Sequence, residues 1–173
     1  MIIRAEVPAD RAAIRSIVTH AFKDMAYSSG TEAAIVDALR RAGALTLSLV
    51  AVEAGEPVGH IAFSPVTIDG RDAGWYGLGP VAVRPDCQGK AIGSGLIREG
   101  LAQLAALGAG GCVLLGAPAY YGRFGFKAEP DLRLADVAPA YFQALPFGAD
   151  VPKGMVAFHA GFEAKEEDPR HVL

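Results

Sequence analysis

A glycine-rich turn, residues 84–95, lies between a short apolar run and a long amphipathic one. Trp75 to Val83 has the length and composition of a strand, and Ile92 to Leu107 repeats apolar residues at helical spacing. The first N–H groups of a helix lack intrahelical partners, and glycine lets a ligand approach the backbone closely. This order predicts an anion site, a phosphate above all. The glycines would equally suit a tightly packed helix start.

The rest of the chain predicts a mixed α/β architecture. Helices are expected over Pro8 to Lys23 and Glu32 to Ala42, and strands over Leu45 to Glu53 and Val58 to Ile68. Together with Trp75–Val83 these strands would form an antiparallel meander. Because strand–helix–strand units cross over in a right-handed sense, the strand before the glycine-rich turn and a short apolar strand after the long helix should be parallel neighbours.

The C-terminal third carries weaker patterns. Tyr120 to Phe124 could form a short helix that ends at Gly125, and Cys112 to Leu115 reads as the short buried strand. Residues 130–150 have prolines and no clear period, which predicts a loop-rich excursion. Met155 to Phe162 is expected to be the last strand, followed by a charged tail over residues 163–173. A length of 173 residues predicts a single domain.

Composition excludes several classes of protein. With 51% hydrophobic and 20% charged residues the chain is not disordered, and a net charge of −3 offers no broad basic face to nucleic acid. No apolar run reaches the roughly 18–20 residues that a membrane helix needs. The two cysteines have no zinc spacing, so neither a metal nor a disulfide is expected. We therefore expect a cytoplasmic protein with no metal, no membrane partner and no nucleic-acid partner.

Two motifs carry a family resemblance. Gln88–Gly93 looks like the Gln/Arg-x-x-Gly-x-Gly/Ala signature of the GNAT superfamily of acetyl-CoA-dependent N-acetyltransferases, and Tyr121–Phe126 is similar to its second marker, Tyr-x-x-x-Gly-Phe. The element order also resembles that family over about Ile2 to Phe126 and again in the final strand. The resemblance implies a GNAT-like fold, with a mostly antiparallel central sheet, one parallel βαβ step and helices on both faces.

The resemblance also implies roles for individual residues. The strand residues would pair with the pantetheine arm of acetyl-CoA, the loop residues would hold its pyrophosphate, and Tyr121 would protonate the leaving thiolate. Ala91 departs from the signature, because a glycine is usual at that position. The cofactor-binding residues expected in this way are Val81, Ala82, Val83, Gly89, Lys90, Ala91, Ile92, Gly93 and Ser94.

The acceptor side is less determined. The strand that precedes the signature and the strand Cys112–Leu115 lack the glutamate that often serves the family as general base. His60, Glu32 or a water chain stay open as bases, although a structural role is the more ordinary reading of both side chains, and Tyr120 is the rival of Tyr121. The expected reaction moves an acetyl group from acetyl-CoA to a primary amine of a small molecule or peptide, and formation of a homodimer stays open. Alternatives are another acyl-CoA donor, a non-catalytic CoA-binding regulatory module and a generic nucleotide-binding protein.

Overall fold

A computed structural model describes residues 1–26, 28 and 30–166 of the chain. The described part contains four α-helices joined to eight strands. The helices are α1 (Arg11–Phe22), α2 (Glu32–Arg41), α3 (Ile92–Ala106) and α4 (Pro118–Tyr121). The strands are β1 (Ile2–Ala5), β2 (Leu47–Glu53), β3 (Glu56–Ile68), β4 (Arg71–Val83), β5 (Gly111–Leu115), β6 (Leu132–Leu134), β7 (Phe142–Pro146) and β8 (Gly154–Ala157).

The strands form one sheet whose main path runs β1-β2-β3-β4-β5-β7, with β8 paired to β3 and β6. Tight turns make the meander: Asp69 and Gly70, between β3 and β4, both have positive φ, as a two-residue hairpin turn requires. The β4–β5 pair is parallel and joined through α3, which confirms the predicted βαβ step. A second parallel pair, also three residues long, joins β6 to β8.

Alternation along the strands divides the core between two faces. Leu49 of β2 packs with α3 residues, whereas the next residue, Val50, packs with α1 and α2. Consecutive strand residues point to opposite faces, so α3 covers one side of the sheet and α1 with α2 cover the other. The predicted mixed α/β fold with helices on both faces is therefore confirmed.

The proline inside β4 marks a bulge in a central strand. Ile61 of β3 pairs with Val81 of β4, and Phe63 pairs with Leu78. One residue of β3 therefore faces two residues of β4, Gly79 and Pro80, which have no ladder partner in β3. Proline has no N–H to give to a ladder, and a bulge removes the need for one. The bulge lies where β4 parts from β5, and this parting creates the site described below.

The two ends of the chain differ from the sequence prediction. β1 was not predicted, because its four residues alternate too briefly to stand out. Residues 130–150 were expected to be loop-rich, yet they contain β6 and β7, and β7 covers the edge of β5. The last strand is shorter than predicted, since Ala160–Glu163 forms a 3₁₀ turn. The charged tail begins in that turn, and its residues 167–173 lie outside the described part.

None of the helices in the described part of the chain has both the length and the apolar character needed to cross a bilayer.

Candidate functional site

Strands β4 and β5 pair for three residues and then separate. The parallel ladder ends with Gly77 opposite Val113, and beyond it β5 pairs only with β7. On the other side of β4, the Arg84 N–H donates to Val58 O at 2.8 Å. The alternation of an antiparallel ladder then turns the N–H and C=O groups of Val83 and Val81 away from β3, toward the gap. The gap therefore has one wall of strand backbone without a strand partner.

The glycine-rich turn lies at the end of that wall. Gln88 Nε2 donates to Val83 O at 3.1 Å and ties the turn to β4. Gly89 has φ +79°, and Ala91, which directly precedes α3, is left-handed at φ 62° and ψ 19°. Within the described chain, the backbone N–H groups of residues 89–94 donate to no backbone carbonyl; the first helical bond is Gly95 N–H to Ala91 O. The turn thus presents a run of free amides at a helix N-terminus, where an anion is stabilised.

Helix α4 brings two tyrosines to the opposite wall. The Tyr121 ring packs on Gly116, the residue after β5, and a Cβ on that glycine would overlap the ring. The Tyr120 hydroxyl lies 3.4 Å from Ser94 Oγ, in the first turn of α3. The Tyr120 ring also carries the guanidinium of Arg123, 4.5 Å from its centroid. The two tyrosine side chains therefore lie in different places: Tyr121 is beside the end of β5, and Tyr120 is beside the glycine-rich turn.

A cavity of about 710 Å³ occupies the gap and extends under α1 and α2. Its volume is typical of ligand sites. The strand side is formed by Leu78, Gly79, Pro80, Val81, Leu115, Gly116, Ala117 and the two tyrosines of α4. The far side is formed by Phe22, Met25, Glu32, Ile35 and Phe162, and the exposed Tyr141, whose carbonyl accepts from the Gly116 N–H, lies at the rim.

The two side chains considered as bases occupy different environments. Glu32 lines the cavity, and its Oε1 accepts a hydrogen bond from Ser28 Oγ at 2.6 Å. His60 is fully buried on β3, where its Nε2 lies 2.8 Å from Ser48 Oγ and its Nδ1 has no partner in the described chain. Burial lowers the His60 pKa from 6.5 to about 4, so the ring is neutral at pH 7. His60 does not line the cavity, and the structure leaves Glu32 as the titratable carboxylate there.

Several predicted site residues turn away from the gap. Ala82 pairs with His60 of β3 through its backbone and buries its side chain against α1 and α2. Ile92 is 2% exposed and packs in the core under α3, so only its backbone faces the turn. Lys90 is exposed and makes no ion pair with a described residue.

The cysteines and metal ligands give no competing site. Both cysteines are buried, and burial raises the pKa of the Cys112 thiol, which disfavours a nucleophilic thiolate. Within residues 1–26, 28 and 30–166, no three His, Cys, Asp or Glu side chains cluster so as to hold a metal ion.

Comparison with known proteins gives this geometry a family. The sequence model of the acetyltransferase (GNAT) family matches residues 11–126, more than half of the chain. The chain belongs to the GNAT acetyltransferase family. The match begins at α1 and ends at the second marker, so it includes both motifs and the gap between β4 and β5. This GNAT acetyltransferase is accordingly an acyltransferase of the N-acetyltransferase type.

Relatives of this GNAT protein agree with the assignment. A GNAT family acetyltransferase from Brucella melitensis, solved in complex with acetyl-CoA, is 58% identical with a TM-score of 0.84, covering 93% of this chain and 97% of that one. YhbS from Escherichia coli, solved in complex with CoA, is 35% identical with a TM-score of 0.86, covering 94% and 91%. The curated Escherichia coli K12 protein named uncharacterized N-acetyltransferase YhbS is 41% identical over 136 residues, 77% of this chain and 78% of its own length.

Apart from Glu32, which the sequence offered as a candidate base, the far side of the cavity was not predicted. Its apolar residues come from α1 and the turn after it, from α2 and from the C-terminal turn, which are distant along the chain. An apolar residue on a helix predicts core packing whether or not a cavity lies beside it, so no sequence signal marked these positions. Gln88 was part of the signature, but its bond to Val83 is visible only in three dimensions.

Proposed function

We propose that this enzyme binds acetyl-CoA between β4 and β5 and moves the acetyl group to a primary amine in the adjoining cavity. The observation that carries the proposal is the orientation of Val81 and Val83, whose backbone groups face the gap and lead to the free amides of residues 89–94. An extended amide chain can pair with such an edge in the manner of an added strand. A pyrophosphate at its end would meet the amides at the start of α3.

The cofactor-binding set proposed from this geometry is mainly backbone. Val81 and Val83 would pair with the pantetheine arm, and the amides of Gly89 through Ser94 would hold the pyrophosphate, with Lys90 adding a positive charge. Ala82 contributes neither its backbone nor its side chain to the gap, so it is not in the set. The Brucella melitensis protein was solved in complex with acetyl-CoA and Escherichia coli YhbS in complex with CoA, which supports this choice of ligand.

The proposed transfer is a single displacement. The neutral amine nitrogen forms a bond to the acetyl carbonyl carbon, the carbon–sulfur bond breaks, and the electron pair leaves on sulfur. The N–H group of Val81 is a suitable donor to the developing oxyanion, because it faces the gap and lines the cavity. The Tyr121 hydroxyl would give its proton to the leaving thiolate, whose pKa as a free thiol is near 8.5.

Glu32 is the proposed acceptor for the proton that the amine loses. It is the titratable carboxylate on the far side of the cavity, whereas His60 is neutral, buried and outside the lining. The carboxylate can also hold the amine as an ammonium ion before a proton leaves. Transfer through a water molecule to Glu32 uses the same residue.

A single acyltransferase domain and a cytoplasmic location stay predictions, and formation of a homodimer stays open. Another acyl-CoA donor and a non-catalytic regulatory module are the alternatives that the experiment must separate.

The test measures binding and turnover on the same preparation. Acetyl-CoA at about 100 times its Kd should stabilise the fold by about 2.7 kcal/mol, which a thermal-shift assay detects. CoA release with primary amines should then be measured against longer acyl-CoA donors. Binding without release for any amine would favour the regulatory module, and faster release from a longer donor would change the acyl group.

Gly93→Val tests the location of the binding site. A Cβ at Gly93 would lie 3.7 Å from Val83 Cγ2 and 3.8 Å from Tyr120 Oη, so the backbone has room for it, while the added methyl groups would cover the amides. The thermal response to acetyl-CoA should disappear in this variant. The matched control is Gly148→Val, at an exposed position with nothing within 4 Å of its Cβ. An unchanged response in Gly93→Val would contradict the proposed pyrophosphate site.

A further inference from the structure

We infer that the acceptor of this enzyme is an amine with a single positive charge on an apolar body; the inference rests on the acetyl transfer proposed above. The observation is the unequal division of the cavity. Its strand side offers backbone, the α4 tyrosines and uncharged apolar side chains, whereas its far side offers apolar and aromatic side chains together with the one carboxylate of the lining. The far side is the space left for the acceptor once a pantetheine arm lies along β4.

Charge on the far side is limited to one group. Glu32 is the single charged side chain among the described residues that line the cavity. Its carboxylate accepts a hydrogen bond from Ser28, so one oxygen is already oriented. An ammonium group beside this carboxylate forms a charge-assisted pair that the apolar surroundings strengthen. One carboxylate can neutralise one cation, and the described lining holds no second anion and no cation.

The apolar part of the wall is fixed by packing. Phe162 packs with Ile35 and with Leu39 of α2, in a small cluster separate from the main core. A Cβ on Gly161 would lie 2.9 Å from Leu39 Cδ2, which shows how closely this turn follows α2. Arg15 adds ion pairs to Asp37 of α2 and to Glu166, beyond the turn. The wall is therefore a built apolar surface, and we expect it to keep its shape when an acceptor binds.

These features discriminate between amines. A second ammonium group would be buried against Phe22, Ile35 or Phe162 without a partner, and desolvation of an unpaired charge is costly. A carboxylate on the acceptor would lie near Glu32, where like charges repel and no cation compensates. An apolar body, in contrast, binds more favourably in proportion to the apolar surface area that it removes from water. Diamines, polyamines and free amino acids are thus expected to be poor acceptors.

Two matched pairs of amines test the inference. Pentylamine and 1,5-diaminopentane differ by the second cation, and 2-phenylethylamine and phenylalanine differ by the carboxylate. We expect kcat/KM from CoA release to be at least about tenfold higher for the first member of each pair. Equal or reversed preference in both pairs overturns the inference and leaves the proposed function intact. No release with any of the four amines, from protein shown to bind acetyl-CoA, contradicts the proposed function and the inference with it.

A variant of Tyr141 tests whether the preference between amines arises in this cavity. Tyr141 lines the cavity at its rim and is 54% exposed. Its backbone carbonyl, and not its ring, accepts the hydrogen bond from the Gly116 N–H. Substitution of the side chain should therefore spare the fold. Tyr141→Glu adds a second carboxylate and should raise kcat/KM for 1,5-diaminopentane relative to pentylamine by at least about threefold. Tyr141→Gln introduces a side chain of the same size as glutamate but without charge, so it should leave this ratio unchanged. Identical ratios in the two variants would overturn the assignment of this cavity to the acceptor.

Discussion

The ring of Tyr121 occupies the space that a side chain on Gly116 would need. Gly116 is itself held from both sides, since its carbonyl accepts from Gln143 Nε2 at 2.9 Å and its N–H donates to Tyr141 O at 3.0 Å. Gln143 is 1% exposed and lies on β7. The position of the proposed acid therefore depends on a glycine and on a buried amide that neither family motif contains.

Gly116→Ala should displace the Tyr121 ring and lower turnover. The new Cβ would overlap two ring carbons, which have to move because the backbone of Gly116 is fixed. We expect kcat to fall by at least about tenfold, equivalent to roughly 1.4 kcal/mol of barrier. The control is Gly122→Ala in the same segment, where a Cβ meets nothing within 4 Å and φ is −57°. Similar kcat values for the two variants would show that the ring position does not matter.

The sequence predicted the position of the elements that form the gap. The glycine-rich turn, the helix after it and the second marker are local patterns, and each was found from residues close together in the chain. The cavity wall could not be predicted in this way. Phe22, Ile35 and Phe162 line one cavity because α1, α2 and the C-terminal turn, which are distant in sequence, come together in the fold.

Ala91→Gly should stabilise the protein and tighten the binding of acetyl-CoA. Ala91 is left-handed at φ 62°, a conformation that costs an L-residue about 1–2 kcal/mol and glycine almost nothing. Greater freedom of glycine in the unfolded chain offsets part of this gain, so we expect roughly 0.5 to 1 kcal/mol from urea unfolding. Removal of the methyl from the amide-rich turn should also lower the Kd for acetyl-CoA, measured by calorimetry.

Ala54→Gly separates strain from crowding. Ala54 also has positive φ, 50°, but lies in the turn between β2 and β3 and not among the cavity or glycine-rich-turn residues. It should gain similar stability without any change in acetyl-CoA affinity. Ala91→Gly could change the stability and leave the acetyl-CoA affinity unchanged, which is the result expected for Ala54→Gly. That outcome would show that the glycine-rich turn already accommodates the alanine methyl when acetyl-CoA binds.

Stability should fall as the pH drops from 6.5 toward 4. Burial lowers the pKa of His60 to about 4, whereas the unfolded chain keeps 6.5, so in this window the unfolded state binds a proton that the native state does not. Protonation then favours unfolding, and at pH 4.5 the loss should be roughly 2 to 3 kcal/mol relative to pH 7. Asp10, whose pKa is lowered by its hydrogen bond to Arg4, loses its contribution only below this window.

Substitution can assign this pH dependence to one ring. His60→Gln removes the titrating group and should flatten the curve between pH 6.5 and 4, whatever its effect on stability at pH 7. His20→Gln, at an exposed position on α1, should leave the curve unchanged. An equally steep curve in His60→Gln would mean that another group carries the acid sensitivity.

His60 was a reasonable candidate base in the sequence for a physical reason. Its side-chain type has the appropriate intrinsic pKa, and a central strand near the signature is a reasonable place for chemistry. Strand alternation then turns it to the face covered by α1 and α2, together with Ala82, rather than to the gap. A bulge such as that at Gly79–Pro80 shifts this alternation by one residue, so the facing of side chains near it is difficult to predict without coordinates.

Glu32→Gln should weaken the use of the amine and spare the use of acetyl-CoA. The amide keeps the size of the side chain but removes the charge that holds an ammonium ion and the group that accepts its proton. We expect kcat/KM for 2-phenylethylamine to fall by at least about tenfold with an unchanged Kd for acetyl-CoA. Asp24→Asn changes the net charge equally, at an exposed position next to Met25. A comparable loss in Asp24→Asn would indicate a long-range charge effect instead.

The last prediction separates the two tyrosines of α4 by what each hydroxyl does. Tyr120 places its hydroxyl 3.4 Å from Ser94 Oγ, beside the amides proposed for the pyrophosphate, while Tyr121 packs at the end of β5 in the gap. Tyr121→Phe keeps the ring and removes the acid, so kcat should fall by at least about tenfold while acetyl-CoA affinity stays nearly constant. Tyr120→Phe should keep most of kcat and weaken acetyl-CoA binding by a few-fold, as expected for one neutral hydrogen bond. Measurement of kcat and of the acetyl-CoA Kd for both variants checks the split, and a reversed pattern would transfer the acid role to Tyr120.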